Sequence, residues 1–159
     1  MSTATVLTAR VLTGDEWATW RDLRLRALAD SPDAFGSTLE REQAFTEDDW
    51  RSRVSGPSVV AFADGEPVGL GGGYRDLPGW LHVVAMWTEP AWRGHGAGRL
   101  VIEVLRGWAA EHGLRLHLDV TVGNDAARRV YEAIGFVATG ETRPLRPGSP
   151  YDVERMVLP

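Results

Sequence analysis

The chain contains no cysteine, which excludes a disulfide-stapled scaffold, a cysteine nucleophile and thiolate metal ligands. No stretch approaches the roughly 18 consecutive apolar residues of a membrane span, and the opening MSTATVLTARV lacks the long apolar run of a secretory signal. Basic charge is not in excess either. Seventeen basic against 22 acidic side chains leave a net charge of −5, a poor balance for a general nucleic-acid binder. Internal repeats, low-complexity tracts, long charge blocks and shifts of composition are missing too, so nothing marks a linker. What remains is a 159-residue chain, 43% hydrophobic and 25% charged, the profile of a globular protein. The expectation is one domain over residues 1–159, large enough to bury about two-thirds of its unfolded surface, cytoplasmic, with no membrane or nucleic-acid partner.

Along the chain, Ala4–Val11 is rich enough in β-branched residues for an early or edge strand. Thr13 and Glu16 form a capping-box pattern, predicting a helix over 14–30 with an apolar stripe of Trp17, Trp20, Leu23, Ala27 and Leu28. Arg24 falls inside that stripe. Ser31-Pro32 ends the helix, and Thr46, Asp48 and Asp49 open a second one that closes near Gly56-Pro57. The period then changes. Ser58–Ala63 and Pro67–Tyr74 flank Asp64-Gly65, a hairpin signal, and the second of these strands carries Gly69, Gly71, Gly72 and Gly73, which let another chain segment or a ligand come close. Trp80–Thr88 is almost wholly apolar, as a central strand covered on both faces would be. A helix from about Gly98 to His112, a strand at Leu114–Val122, a helix capped by Asn124 and ended by Gly135, and strands at Phe136–Arg143 and Tyr151–Leu158 complete the order. That order predicts a mixed α/β sheet of seven strands with about four helices.

Arg93-Gly94-His95-Gly96-Ala97-Gly98 lies between a buried strand and a helix. At such a junction free N–H groups and the positive helix end converge on an anion, and glycine lets a phosphate approach the backbone. Arg93 adds a cationic fork. The spacing does not fit a dinucleotide fingerprint, which from Gly94 would need glycine where Arg99 stands and from Gly96 where Val101 stands. A nucleotide P-loop would need Gly-Lys-Ser/Thr, and this region has no lysine. A plain flexible turn is the other reading of the glycines.

The loop has the form R-x-x-G-x-G and follows Met86-Trp87-Thr88-Glu89-Pro90. Downstream, Asn124, Ala127, Tyr131 and Gly135-Phe136 spell N-x-x-A-x-x-x-Y-x-x-x-G-F. In these ordered motifs, and over essentially its whole length, the chain resembles the GNAT superfamily of acetyl-CoA-dependent N-acetyltransferases. The resemblance implies a single α/β (α+β) domain, its mostly antiparallel seven-stranded sheet splayed so that the cofactor enters between the fourth and fifth strands. It further implies acetyl-CoA as cosubstrate: pyrophosphate on Gly94, His95, Gly96, Ala97 and Gly98 beside Arg93, pantetheine along Met86 and Thr88, and Asn124 on the other side. A backbone N–H near Trp87 would take the oxyanion.

Acetyl transfer to an amine poses two proton problems. A lysine-like ammonium of pKa near 10.4 costs roughly 4–5 kcal/mol to deprotonate at pH 7, whereas a thiol near 8.5 costs only about 2 kcal/mol to expel as thiolate. A base is therefore sought first. His82, on the fourth strand where relatives often place a Glu or His, is the candidate, with an ordinary imidazole near 6.5; the alternatives are a half-buried, hydrogen-bonded histidine, or catalysis through water alone. Tyr131 matches the family residue that donates to the departing sulfur. Its phenol is a weaker acid than the thiol, so it reads as a hydrogen-bond donor to the developing thiolate rather than a full proton source; the alternative is aromatic packing.

Arg24 either binds a substrate carboxylate or pairs with an acid while its stem packs on the core. Glu40, Glu42, Glu47, Asp48 and Asp49 form either an acidic lure for a cationic amine or a solvated face. Trp17, Trp20 and Trp108 read as core, while Trp80, Trp87 and Trp92 are expected along the cleft, Trp80 on the substrate. No histidine spacing suggests a metal site, and no metal is expected. Dimers are frequent among relatives, but nothing here specifies an interface. The function expected is N-acetyl transfer to a primary amine of a small molecule or peptide, by direct attack in a ternary complex. A fold-retaining acyl-CoA-sensing module is the alternative, and a nucleotide-binding protein a third reading.

Overall fold

The computed structural model describes residues 5–159; Ala4, placed above in the first strand, lies outside them. Seven strands run β1 (Leu7–Val11), β2 (Ser58–Ala63), β3 (Glu66–Tyr74), β4 (Trp80–Thr88), β5 (Arg115–Thr121), β6 (Val137–Pro144) and β7 (Asp152–Val157). Five helices interleave with them: α1 (Trp17–Asp30), α2 (Leu39–Gln43), α3 (Glu47–Arg53), α4 (Ala97–Glu111) and α5 (Asp125–Ile134). One more helix is present than expected, because the five residues of α2 are too few to show a periodic pattern. The sheet order is β1-β2-β3-β4-β5-β7-β6, and only β4 and β5 run parallel.

Capping chemistry sets the helix starts. Glu16 Oε1 accepts from Thr13 N at 3.0 Å, although the turn it closes is a 3₁₀ turn and α1 proper begins at Trp17. Thr46 and Asp49 exchange bonds of 2.9 and 3.2 Å at the start of α3. The two faces of the sheet then bury separate cores. On one, α4 lays Val101, Ile102 and Leu105 against Leu81, Val83, Leu116, Leu118 and Met156. On the other, α1 and α3 bring Trp20, Leu23, Leu28 and Trp50 onto Val60, Leu70 and Trp87. Truncating one such leucine to alanine costs about 2–5 kcal/mol, so each helix is held chiefly by its apolar face. Of the three tryptophans expected in the core only Trp20 is fully buried; Trp108 is partly exposed and stacks on His112 at 3.9 Å.

Two irregularities in the middle of the sheet shape everything downstream. β4 and β5 stay in register only from Trp80↔Arg115 to Val83↔Leu118; β5 then continues beside β7, and the β5-side edge of β4 is bare from Val84 to Thr88. On the other side of β4 the register with β3 skips between Gly72↔Val84 and Leu70↔Trp87, so two residues of β4 oppose one of β3. That is a β-bulge, and within it Ala85 adopts φ +63°, a left-handed conformation that costs a residue with a Cβ on the order of 1 kcal/mol or more. The glycines of β3 answer to this geometry. A Cβ on Gly71 would sit 2.3 Å from Met86 Sδ and 2.7 Å from Val101 Cγ1, and one on Gly73 2.8 Å from the Leu81 side chain. Here glycine makes room for side chains of the neighbouring strand and helix.

Candidate active site

The bare edge of β4 and the diverging β5 open into a cavity of about 1140 Å³, lined among others by Arg24, His82, Met86, Asp119, Tyr131 and Arg146. At one end of β4 the chain passes through Arg93–Gly98 into α4. Gly94 and Gly96 have φ of +81° and +88°, a conformation glycine adopts without the Cβ penalty. Gly96 caps α4, its carbonyl taking Leu100 N at 3.1 Å. Among the described residues no acceptor takes the N–H groups of Gly94 to Arg99. Free donors at a positive helix end are what a pyrophosphate requires. Arg93 sits beside them but is already engaged: Nη2 donates to Asp30 Oδ2 at 2.8 Å and Nε to the Thr88 carbonyl at 3.0 Å. It braces the loop against α1 as well as carrying charge.

Of the other candidate cofactor residues, Met86 and Tyr131 line the same cavity. Met86 has no register partner in β3, while Trp87 and Thr88 face Leu70 and Gly69. Across the gap, Asn124 Oδ1 accepts from Ala127 N at 3.3 Å and caps α5; the residue shares a smaller pocket of about 510 Å³ with Asp30 and Thr121. Tyr131, on α5, is buried beside Phe136, ring centroids 5.8 Å apart, and lines the main cavity. Burial pushes its phenol up to about 12. Passing its proton fully to a thiolate would then be uphill by about 5 kcal/mol, so the hydroxyl is suited to donate a hydrogen bond and keep its proton.

His82 lies on the cleft side, 5% exposed, and burial pulls its imidazole down to about 4, only partly opposed by Asp119 and Asp76. The poised imidazole near 6.5 inferred from sequence is therefore corrected: this ring is neutral at pH 7 and weakly basic. Its Nδ1 is buried without a hydrogen bond, 3.4 Å from Asp76 Oδ2, and its Nε2 is 3.9 Å from Asp119 Oδ2. His117, opposite His82 on β5, donates from Nε2 to Asp76 Oδ1 at 2.8 Å and meets the His82 ring edge-on at 4.9 Å. Asp76 resists the upward pull of burial because His117 bonds it, and Asp119 does so through Arg155 and Arg143. Asp76, His82 and His117 offer ligand atoms within 4.8 Å of one another, a grouping that no sequence spacing announces. A cation there would have to displace the His117–Asp76 hydrogen bond.

One expectation changes, and two open alternatives resolve. None of Trp80, Trp87 and Trp92 lines the cavity, whereas Trp108 does. Trp80 is packed on His117 at 5.1 Å, Trp87 is buried with Nε1 donating to Asp30 at 3.0 Å, and Trp92 faces His95 at 5.6 Å. Trp80 thus buttresses His117. Arg24 is paired: Nε and Nη2 each donate to Glu42 at 2.9 Å, both side chains being buried. Glu40, Glu42, Glu47, Asp48 and Asp49 do not line the cleft, since Glu42 holds Arg24, Glu47 holds Arg51 at 3.1 Å and Asp49 caps α3.

Residues 17–136 match the family model described as "Acetyltransferase (GNAT) family". The N-alpha-acetyltransferase RimI of Mycobacterium tuberculosis is 29% identical over 107 residues, covering 67% of this chain and 63% of that protein. A mycothiol acetyltransferase of Nocardiopsis dassonvillei is 30% identical over 144 residues, 77% of this chain and 40% of the relative. The chain thus spans less than two-thirds of either. Among solved structures, a GNAT-family acetyltransferase from Streptococcus pneumoniae superposes with a TM-score of 0.79 at 20% identity, covering 97% of this chain and 100% of the other. The Salmonella typhimurium protein yncA, solved with its cofactor acetyl-CoA, gives 0.77 at 18% identity over 96% and 93% of the two chains. With the motifs, the splayed sheet and the family match over most of its length, the chain belongs to the GNAT acetyltransferase family.

Proposed function

We propose that this protein, as a single catalytic domain, transfers the acetyl group of acetyl-CoA to a primary amine by direct attack in a ternary complex. The observation that carries the reading is the gap beyond Val83 and Leu118, with Tyr131 lining its cavity and, where the bare-edged β4 leads on toward α4, the unbonded N–H groups of Gly94–Gly98. The pyrophosphate rests on those amides, and the pantetheine arm lies along the bare edge of β4 from Met86 to Thr88, with Asn124 opposite. The relatives solved with acetyl-CoA or coenzyme A support the same cosubstrate.

The chemistry follows from the groups in the cleft. The amine lone pair forms the C–N bond while the carbonyl π electrons move to oxygen. A backbone N–H of the bare β4 edge around Met86 and Trp87 takes that oxyanion. His82, neutral at pH 7, takes the proton that the attacking nitrogen sheds, directly or through one water. With an imidazole near 4, drawing that proton from a free lysine-type ammonium would be uphill by about 9 kcal/mol, against about 5 for a peptide α-amine near 8. The acceptor therefore enters as its neutral amine, the ammonium proton having gone to solvent, and the proton His82 takes is the second one, shed after attack when bond formation has made the nitrogen acidic. The oxyanion then reforms the carbonyl, the C–S bond breaks, and Tyr131 hydrogen-bonds the departing thiolate.

Calorimetry with acetyl-CoA and coenzyme release over an amine panel test this reading. Saturable binding with amine-dependent release is the expected result. Absence of binding overturns it, and tight binding without release for any amine would establish a sensing module.

A further inference from the structure

The cavity is lined by six arginines, Arg24, Arg41, Arg53, Arg75, Arg143 and Arg146, and by a single carboxylate, Asp119. This imbalance stands out in a chain whose net charge is −5. Asp119 is already shared between Arg155 and Arg143. Among the described residues Arg41, Arg53, Arg75 and Arg146 meet no carboxylate. Arg41 donates to Ser37 Oγ at 3.4 Å, Arg53 lies 4.7 Å over the Phe45 ring, and Arg146 donates to the Phe35 carbonyl at 2.9 Å. Arg24 is 7% exposed, and although Glu42 takes two of its nitrogens, Nη1 is buried with no partner. An unmatched buried guanidinium N–H costs the full desolvation of a charged donor. Around Arg53, the attraction of Glu42 and Asp49 is set against repulsion from Arg24 and Arg41.

Resting on the acetyltransferase reading above, we infer that the acceptor is a small amine that also carries an oxyanion, a carboxylate or a phosphate, seated on the exposed guanidinium groups of Arg41 and Arg53, with the buried charge of Arg24 behind them. A guanidinium fork matches either group bidentately, and a ring of like charge at a low-dielectric wall concentrates anions in the cleft. The occupant is small because Arg146 spans from the β6–β7 connection to the Phe35 and Pro32 carbonyls, at 2.9 and 3.5 Å. That strap narrows the cleft between the β6–β7 connection and the α1–α2 connection, and favours a small occupant over a chain running through it.

The test compares matched acceptors under saturating acetyl-CoA, after calorimetry has shown that the coenzyme binds. Free amino acids are set against their amides and their decarboxylated amines, and phosphoethanolamine against ethanolamine. Anionic acceptors should exceed their neutral counterparts by roughly 100-fold in kcat/KM, the worth of a charge-assisted bidentate contact. Whether the amino acids or phosphoethanolamine lead tells carboxylate from phosphate. Arg53→Gln and Arg41→Gln, both exposed rim positions, should raise KM for the anionic acceptor roughly 10-fold with kcat unchanged, while rates on neutral amines stay as they were. Neutral or polycationic amines matching the anionic ones, or acidic peptides outrunning every small acceptor, would overturn the inference while leaving the acetyltransferase standing. Failure to bind acetyl-CoA would instead remove the reading beneath it.

Discussion

The Asp30 carboxylate, on the last residue of α1, accepts from Arg93 Nη2 at 2.8 Å, tying the end of one helix to the loop that opens another. The same oxygen accepts from the Trp87 indole at 3.0 Å. Ser31, Trp87 and Arg93 together hold the Asp30 carboxyl down to about 2. The loop amides that would receive pyrophosphate are thus braced from the far face of the sheet. Asp30→Asn should weaken acetyl-CoA binding roughly two- to five-fold, the worth of a partly exposed ion pair, with kcat unchanged. The sign of the pH effect is set by the lowered carboxyl. Its stabilisation is complete above the ordinary value of 3.8 and is lost as pH falls toward about 2. Wild type and variant should accordingly differ in urea midpoint at pH 6 and converge in acid.

Tyr131→Phe separates chemistry from binding. The hydroxyl makes no hydrogen bond to protein among the described residues, and the ring's packing against Phe136 survives the change. Turnover should fall roughly 100-fold, the usual cost of removing a donor to developing negative charge, while acetyl-CoA affinity and melting temperature hold. Unchanged turnover would return the residue to packing alone.

His82 should leave no ionisation near 6.5 in the rate profile. With the imidazole at about 4, kcat/KM between pH 6 and 9 should follow the acceptor amine, rising as it deprotonates. His82→Gln should lower kcat by roughly 100-fold. Stability carries the complementary sign. The folded protein disfavours the charged ring, so its contribution is complete above 6.5 and is lost as pH falls toward about 4, by up to roughly 3 kcal/mol. A break in the rate profile near 6.5 that disappears in the variant would show that the ring is not desolvated in the working enzyme.

Local chemistry was legible in the sequence, and its long-range consequences were not. Trp80–Thr88 reads as a strand with the boundaries it has, because a continuous apolar run between turn residues has few other uses. The glycine loop and the Asn124–Phe136 motif carry the family resemblance, which the family match bears out. The proximity of Asp76 to His117 joins positions 41 apart, and the partner of Arg24 sits 18 residues away on a helix too short to show a period. The bulge at Ala85 is written in no unusual residue, only in the glycine facing it. Of the two readings open for Glu40, Glu42, Glu47, Asp48 and Asp49, a lure for an amine or a face turned to solvent, the fold excludes the lure, since none of the five lines the cavity. Charge counts along a chain do not tell which side chains face inward.

Gly71 is the position where the sheet is least tolerant. A Cβ there meets Met86 Sδ at 2.3 Å and Val101 Cγ1 at 2.7 Å; the thioether can swing away, but the branched valine on α4 cannot. Gly71→Ala should cost about 1–3 kcal/mol through overpacking, lowering the melting temperature by roughly 2–4 °C per kcal/mol. Because Met86 belongs to the bulge, acetyl-CoA affinity should fall as well. Val101→Ala in the same chain should restore part of both, and strictly additive losses would show that the clash is absent.

Metal dependence offers a last discriminating measurement at the Asp76–His82–His117 cluster. One ligand atom from each lies within 4.8 Å of the others, and a tetrahedral zinc-type ion needs no more protein ligands than three. Binding would replace the His117–Asp76 hydrogen bond and occupy a nitrogen of His82. If His82 receives the amine proton, a bound ion removes the base instead of assisting it. Dialysis against a chelator should therefore leave turnover unchanged, and added Zn²⁺ should inhibit, reversibly with chelator. Asp76→Asn, which keeps the shape and discards the anionic ligand, should blunt that inhibition. Loss of activity on chelation and its recovery with Zn²⁺ would mean that the cluster is a working metal centre and that His82 serves as a ligand in it.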